Sequence, residues 1–225
     1  MANRSGQSLL LTALVALLVF TAAPKCVGTV VYSQAPDYEN LWASQNDIGG
    51  YGSYATVYDN FSLSSFTEIS AVEWVGGYFN PPSAGTITGW TVTFWSDSAG
   101  QPGSQLTSFV LAGNGGETFL QKHDLGDPIY SYHAPVSFDA AAAVMYWLSV
   151  VPDLAFSPQW GWTTSSQGDG LSYQDFNGSR FQDPNDQAFS LSATNVPDAG
   201  TFQLLGTGVL IIATALRSKL RRYAR

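Results

Sequence analysis

The chain has 225 residues, 17 of them acidic and nine basic, and its formal net charge at pH 7 is −8. Seven basic residues lie near the two ends, so only Lys122 and Arg180 balance the acidic residues of the middle, which carries a net charge near −15. This distribution excludes nucleic acid as a partner, since phosphate binding requires clustered Lys and Arg. Cys26 is the single cysteine and excludes an intrachain disulfide. The middle, roughly 170 residues, suffices for one domain with a sizeable core.

Residues 1–28 are typical of a secretory signal peptide. Arg4 precedes an apolar stretch from Leu9 to Phe20, which is too short to span a bilayer, and small residues follow it. Cleavage after Ala23 or after Gly28 is compatible with the sequence, and an uncleaved N-terminal anchor is the alternative. We predict that residues 1–28 direct the chain to export.

Residues 29–193 are predicted to form an all-β body. Trp90, Val92 and Phe94 alternate with Thr91 and Thr93, which is the two-residue period of a half-buried strand, and we expect the first three to face inward. Gly-rich and Pro-rich turn segments separate the predicted strands, which indicates a single β-sandwich of the jelly-roll type. The predicted strands are Thr29–Ser33, Ala55–Phe61, Ile69–Val75, Trp90–Trp95, Leu106–Leu111, Ile129–His133, Val144–Val151, Trp160–Thr164 and Ala188–Ala193.

The body offers little that indicates catalysis. Its two histidines, His123 and His133, fall near predicted strand ends, and no nucleophile elbow, zinc-protease motif or phosphate loop is present. We therefore assign no catalytic residue and expect a protein that is not an enzyme. A polysaccharide-active enzyme remains an alternative, because sequence alone cannot place two carboxylates at catalytic separation.

Two segments carry alternative binding sites. Trp160 and Trp162 share one face of a predicted strand, where they either fill the core, as we expect, or form a platform for sugar rings. Asp183, Asn185 and Asp186 supply the oxygen ligands that calcium prefers, but the segment lacks the Gly and terminal Glu of an EF-hand loop. A solvated turn without metal is the expected alternative for this segment, so no cofactor is assigned.

The C-terminal segment, residues 194–225, has three parts in a fixed order. Val196, Pro197, Asp198 and Gly200 form a turn, and an uncharged apolar run from 201 to 216 follows. As a helix this run is about 24 Å long, somewhat short for a hydrocarbon core of about 30 Å. It therefore predicts a marginal transmembrane helix whose C-terminus stays in the cytoplasm by the positive-inside rule. The basic residues that end the chain are Arg217, Lys219, Arg221, Arg222 and Arg225.

This layout resembles the PEP-CTERM sorting signal, in its Val-Pro-Asp variant. The resemblance covers about thirty residues and departs from the usual variant at Ala199, where Ser is common. It implies a bacterial protein exported by the Sec machinery, held in the membrane by its C-terminal helix, and then processed by an exosortase. The implied destination is the cell envelope or the extracellular matrix.

The expected function is that of a non-enzymatic envelope or matrix protein with a β-sandwich body. The alternative is a carbohydrate-binding module of the cell surface or biofilm matrix, with extracellular polysaccharide as its partner. Exposure of Trp160 and Trp162 distinguishes the two.

Overall fold

The computed structural model describes residues 28–123 and 125–194, which are all-β. No helix in this part of the chain is long and apolar enough to cross a membrane. The predicted signal peptide, the C-terminal sorting motif, the apolar run and the basic tail lie outside the described residues. The described part contains fifteen strands. They are β1 (Thr29–Gln34), β2 (Leu41–Ala43), β3 (Gln45–Asp47), β4 (Gly52–Ser62), β5 (Thr67–Phe79), β6 (Gly89–Asp97), β7 (Pro102–Ala112), β8 (Thr118–Lys122), β9 (Pro128–Ala140), β10 (Met145–Asp153), β11 (Gln159–Ser165), β12 (Ser172–Phe176), β13 (Ser179–Asp183), β14 (Asp186–Gln187) and β15 (Phe189–Ala193).

The first of two sheets is organised around the long strand β5. One edge of β5 pairs with β9, which in turn pairs with β8. The other edge pairs with β15 over its first half and with β11 near its end. Strand β1 pairs with β15, while β2 pairs with the middle of β11 and β14 pairs with the end of β11. All these pairings are antiparallel, as expected of a sheet built from hairpins and longer returns.

The second sheet has the order β13-β12-β4-β3-β10-β6-β7, and β4 also pairs directly with β10. Its single parallel contact joins β10 and β3 at Asp153 and Asn46. The β12–β13 hairpin turns through Asn177 and Gly178, both with positive φ. A two-residue turn of this kind matches the right-handed twist of the flanking strands, which is why Asn-Gly is favoured there.

The two sheets share one core in which aromatic rings from both interlock. Trp90 projects from the second sheet into a group of rings from the first. Its ring centroid lies 4.8 Å from Trp74, 4.8 Å from Tyr132 and 5.0 Å from Trp160. Edge-to-face and tilted contacts of this kind stabilise beyond the area they bury. Gly76 of β5 accommodates this packing, because a Cβ there would lie 2.2 Å from the Trp160 ring.

The nine predicted strands are confirmed as strands, and the all-β prediction holds. Trp90, Val92 and Phe94 are fully buried in the common core, as the alternation predicted. Thr93 lies on the opposite face but is also buried, 3% exposed, between Ser108 and Ser149 of the neighbouring strands. The outer face of the second sheet is thus partly covered, and it carries a separate aromatic cluster. That cluster consists of Tyr58, Trp147 and Tyr173, with Trp95 and Leu171 packed against it.

Replacing Trp90 by alanine should lower the free energy of unfolding by roughly 3–5 kcal/mol, the usual cost of deleting a large buried aromatic side chain. The half-buried Thr91 on the same strand provides the control, since Thr91→Ala should cost about 0.5 kcal/mol or less. Urea denaturation followed by tryptophan fluorescence measures both. Equal unfolding midpoints for the two variants would show that the inward face of β6 is assigned incorrectly.

Candidate functional site

The structure places Trp160 and Trp162 in the core, not on the surface. Both side chains are 0% exposed. Trp160 Nε1 donates to the Tyr132 hydroxyl at 3.1 Å, and Trp162 Nε1 donates to the carbonyl of Ala188 at 2.8 Å. The alternative of an exposed tryptophan platform for sugars is therefore wrong, because both indoles complete the core that the two sheets share.

Asp183 and Asp186, predicted as alternative calcium ligands, belong to a buried carboxylate network together with Asp59 and the more exposed Asp169. Asp59 is fully buried in β4 and accepts from the backbone N–H groups of Asn60, at 2.7 Å, and Gln187, at 2.5 Å. Hydrogen bonds from the Asn60 side chain reach Asp169 at 3.1 and 3.3 Å. Four carboxyl groups thus gather between the ends of β4, β13 and β14.

The Gln34 amide completes the environment of Asp59. With its nitrogen toward Asp59, Gln34 donates to Asp59 Oδ2 at 2.8 Å and to the Gln187 carbonyl at 2.6 Å, and its oxygen accepts from the Tyr32 hydroxyl at 2.7 Å. The opposite orientation would set the amide oxygen against two acceptors. The hydrogen-bond network therefore fixes the orientation of this side chain.

Burial dominates the electrostatics of the network. It raises the pKa of Asp59 well above its ordinary value, and repulsion from Asp186 and Asp169 adds to this against the opposing hydrogen bond from Gln187. Burial likewise raises the pKa values of Asp183 and Asp186. The ion pairs of the described residues, Arg180–Asp175 and His123–Asp127, include no member of the network.

The predicted calcium ligands do not converge on one point. Asp183 Oδ1 accepts from the backbone and side-chain nitrogens of Asn185 at 3.1 and 2.8 Å, whereas Asp186 Oδ2 accepts from Gly170 N at 2.8 Å. Within residues 28–123 and 125–194, no three His, Cys, Asp or Glu side chains are grouped so that they could hold a metal. Two acceptors of this region, Asp183 Oδ2 and Gln187 Oε1, are buried without a hydrogen-bond partner.

An aromatic cleft lies where the two sheets meet at one end of the sandwich. Its cavity volume is about 240 Å³, below the roughly 300–1,000 Å³ of sites for drug-sized ligands. Tyr51 and Phe156 are the most exposed of its rings, at 77% and 43%. The aromatic cleft is lined by Tyr51, Tyr54, Phe156, Gln159, Phe176 and Asn177.

The aromatic cleft and the chain ends of the body lie at opposite ends of β5. Near the start of β5, Ile69 pairs with Ala193, which also pairs with Thr29. At the other end, Phe79 pairs with Gln159 of the cleft. The ten residue-to-residue steps from Ile69 to Phe79 correspond to about 33 Å of strand. The segments that precede β1 and follow β15 therefore join the body far from the cleft.

A larger groove, about 540 Å³, lies nearer the chain ends of the body. It contains two carboxylates, Asp97 and Asp139. Both oxygens of Asp97 accept hydrogen bonds, from Trp147 Nε1 at 2.9 Å and from Gly100 N at 3.1 Å. Asp97 is therefore held as a structural acceptor for the indole and the β6–β7 turn.

Sequence reasoning missed the aromatic cleft because its exposed rings lie in loops, where hydrophobic periodicity says nothing. Tyr51 follows Gly49 and Gly50, and Phe156 precedes Pro158. Large aromatics inside turn-forming segments are the signal that could have found them. The buried carboxylate Asp59 had a clearer signal, since it lies between Val57 and Phe61 on the same face of a predicted strand.

Replacing Asp183 by asparagine should stabilise the protein at neutral pH. The asparagine oxygen can keep both hydrogen bonds from Asn185, and its nitrogen takes the place of the unpartnered Oδ2. Because the folded-state pKa of Asp183 is raised, its stabilising contribution is present below the unfolded pKa of about 3.9 and is lost as pH rises through the folded pKa. The advantage of Asp183→Asn should thus be largest at neutral pH and vanish in acid.

Thermal melts of both proteins from pH 4 to 8, with calcium and with chelator, measure this difference. A lower melting temperature for Asp183→Asn at pH 7, together with calcium-dependent stabilisation of the unmodified chain alone, would contradict the expectation. That result would instead support calcium binding at Asp183, Asn185 and Asp186.

No known protein-family model matches the sequence of this chain. No curated protein is significantly similar to it. Its function is therefore inferred from its own residues and their geometry.

Proposed function

We propose that the chain is a bacterial exported protein of the cell envelope or extracellular matrix, without enzymatic activity, sorted and processed through its C-terminal signal. The observation that carries this proposal is the order of three features within residues 194–225. The Val196-Pro197-Asp198 motif precedes an uncharged run from 201 to 216, and five basic residues follow that run. This combination is far more specific than the three-residue motif alone.

The proposed route begins with a signal-peptide helix within residues 1–28 and export by the Sec machinery. The apolar run then holds the chain in the membrane as a helix, with the basic cluster in the cytoplasm and a jelly-roll-like body outside. An exosortase cleaves near the Val-Pro-Asp turn and releases the body to the envelope or matrix. Cys26 as the single cysteine agrees with a body that depends on core packing for stability outside the cytoplasm.

The lack of enzymatic activity is part of the proposal. The hydrogen bonding of Asp97 and the burial of Asp59 support it. In the larger groove, both Asp97 oxygens are engaged by Trp147 and Gly100. In the buried carboxylate network, Asp59 is inaccessible to any substrate. Asp97 and Asp139 of the groove are both exposed, so there the proposal rests on the two hydrogen bonds that already occupy Asp97 and not on inaccessibility of the carboxylates.

The processing step gives the first test. In a host with an active exosortase, the mature protein should have lost the basic tail through cleavage near Asp198, because the turn adjoins a marginal membrane helix. Intact-mass measurement of the envelope fraction would reveal the loss. A product that retains Arg225 would contradict processing and favour a permanent membrane anchor.

Topology gives the second test. An alkaline phosphatase fused after Ser192 should be active, because this enzyme functions only outside the cytoplasm and the body is expected there. Fusion of a cytoplasmic reporter after Arg225 should be active in a strain without exosortase, where the tail remains. Activity of the cytoplasmic reporter at Ser192 would overturn the proposed orientation.

A further inference from the structure

We propose that the aromatic cleft formed by Tyr51, Tyr54, Phe156, Gln159, Phe176 and Asn177 binds an uncharged saccharide. This inference depends on the geometry of the body and not on the C-terminal signal. The aromatic side chains proposed to bind are different from Trp160 and Trp162, which are buried.

The rings of the aromatic cleft are held in two edge-to-face pairs. Tyr51 and Phe156 have ring centroids 6.1 Å apart at 84°, and Tyr54 and Phe176 have centroids 5.7 Å apart at 83°. Tyr51 and Phe156 remain 77% and 43% exposed in this arrangement, so part of each of these two rings is open to solvent. An exposed aromatic face suits the apolar C–H face of a sugar ring, since burial of that face removes apolar surface from water.

The polar groups of the aromatic cleft are ordered by hydrogen bonds before any ligand arrives. Gln159 accepts from Asn80 Nδ2 at 3.1 Å and donates to the Tyr54 hydroxyl at 3.2 Å. That hydroxyl donates to Gln45 Oε1 at 3.3 Å. The amide of Gln159 keeps one further N–H and one lone pair, so it can both donate to and accept from a sugar hydroxyl.

The loops that carry the exposed rings are fixed by one carboxylate. Asp47 is 3% exposed, and its oxygens accept from Gly49 N at 2.8 Å, Tyr51 N at 2.8 Å and Phe156 N at 2.7 Å. These hydrogen bonds lower the pKa of Asp47 and keep it ionised, and the hydrogen bond from Phe156 has the largest effect. Asp47 is therefore a positioning residue, and the preorganised loops reduce the entropy lost on binding.

The charge of the aromatic cleft selects an uncharged ligand. Its lining contains no charged residue. Arg180, the one arginine among the described residues, makes a bidentate pair with Asp175 at 2.7 and 2.8 Å and so is not available to an anionic sugar. The net charge of the body, near −15, repels acidic polysaccharides. The geometry thus favours neutral hexose polymers over uronate-containing ones.

Affinity electrophoresis of the full-length chain in mild detergent tests this proposal. The gels contain hydroxyethyl cellulose, laminarin, xyloglucan or galactomannan as neutral probes, and alginate as the acidic one. We expect at least one neutral probe to retard the protein and alginate to have no effect. Tyr51→Ala and Phe156→Ala should each weaken the retardation by roughly tenfold, the loss expected when one ring contact of about 1.4 kcal/mol is removed.

Two controls separate a binding role from a structural one. Tyr51→Phe keeps the ring and should bind within a fewfold of the unmodified chain, and Phe66→Ala, at a 66% exposed ring near the start of β5, should bind unchanged. All variants should melt within about two degrees of the unmodified chain, because the altered rings are exposed. Failure of every neutral probe to retard the unmodified chain would overturn the proposal. Binding by both alanine variants that equals that of the unmodified chain would also overturn it. The same holds if sedimentation shows that the unmodified chain self-associates and that Tyr51→Ala only abolishes this self-association.

Discussion

The packing of Trp90 against three rings of the opposite sheet is the interaction on which the body depends. With one cysteine, the chain has no intrachain cross-link to stabilise it, so the interface between the sheets has to supply the necessary burial. Trp90 meets Trp74, Tyr132 and Trp160 within 5.0 Å of ring-centroid separation. The same packing requires a glycine at position 76, since the Trp160 ring occupies the space that a side chain would need there.

The packing of the core determines which aromatic side chains remain exposed and can contact a ligand. Trp160 and Trp162 are buried in the core, so a surface for stacking has to come from other aromatic side chains. Tyr51 and Phe156 meet that condition, and their backbone N–H groups are bound by a carboxylate that lies beneath the surface. A rigid sandwich that positions loop residues is a common way for β proteins to separate stability from binding.

The pKa values of Asp47, beneath the aromatic cleft, and Asp59, in the buried carboxylate network, are shifted in opposite directions. Asp47 accepts three backbone N–H groups, which stabilise its charge and lower its pKa. Asp59 also accepts N–H groups, but complete burial and the neighbouring carboxylates Asp169 and Asp186 outweigh them and raise its pKa. Acid therefore weakens the support of the aromatic cleft while it relieves repulsion in the buried carboxylate network.

Much of the fold could be predicted from the sequence, because alternation in Trp90–Phe94 and similar runs reflects a shared core directly. The missed strands lack that pattern for identifiable reasons. Strands β2, β3 and β14 have only two or three residues, β8 is exposed at every position, and β12 buries polar residues such as Ser172 and Gln174. Of the site, sequence predicted that the tryptophan pair lies in the core but could not place Tyr51 beside Phe156, which are distant in the chain.

The position of the chain ends connects the two proposals. Thr29 and Ala193 pair with each other beside the start of β5, so the leader and the sorting segment join the body at the same end. The aromatic cleft lies about 33 Å along β5 from that point. If the chain is held by its C-terminal segment, even transiently, that segment continues from Ala193 beside the start of β5, at the opposite end of this strand from the cleft residue Gln159. A protein retained in a polysaccharide matrix after release from the membrane would use the same cleft without any rearrangement of the body.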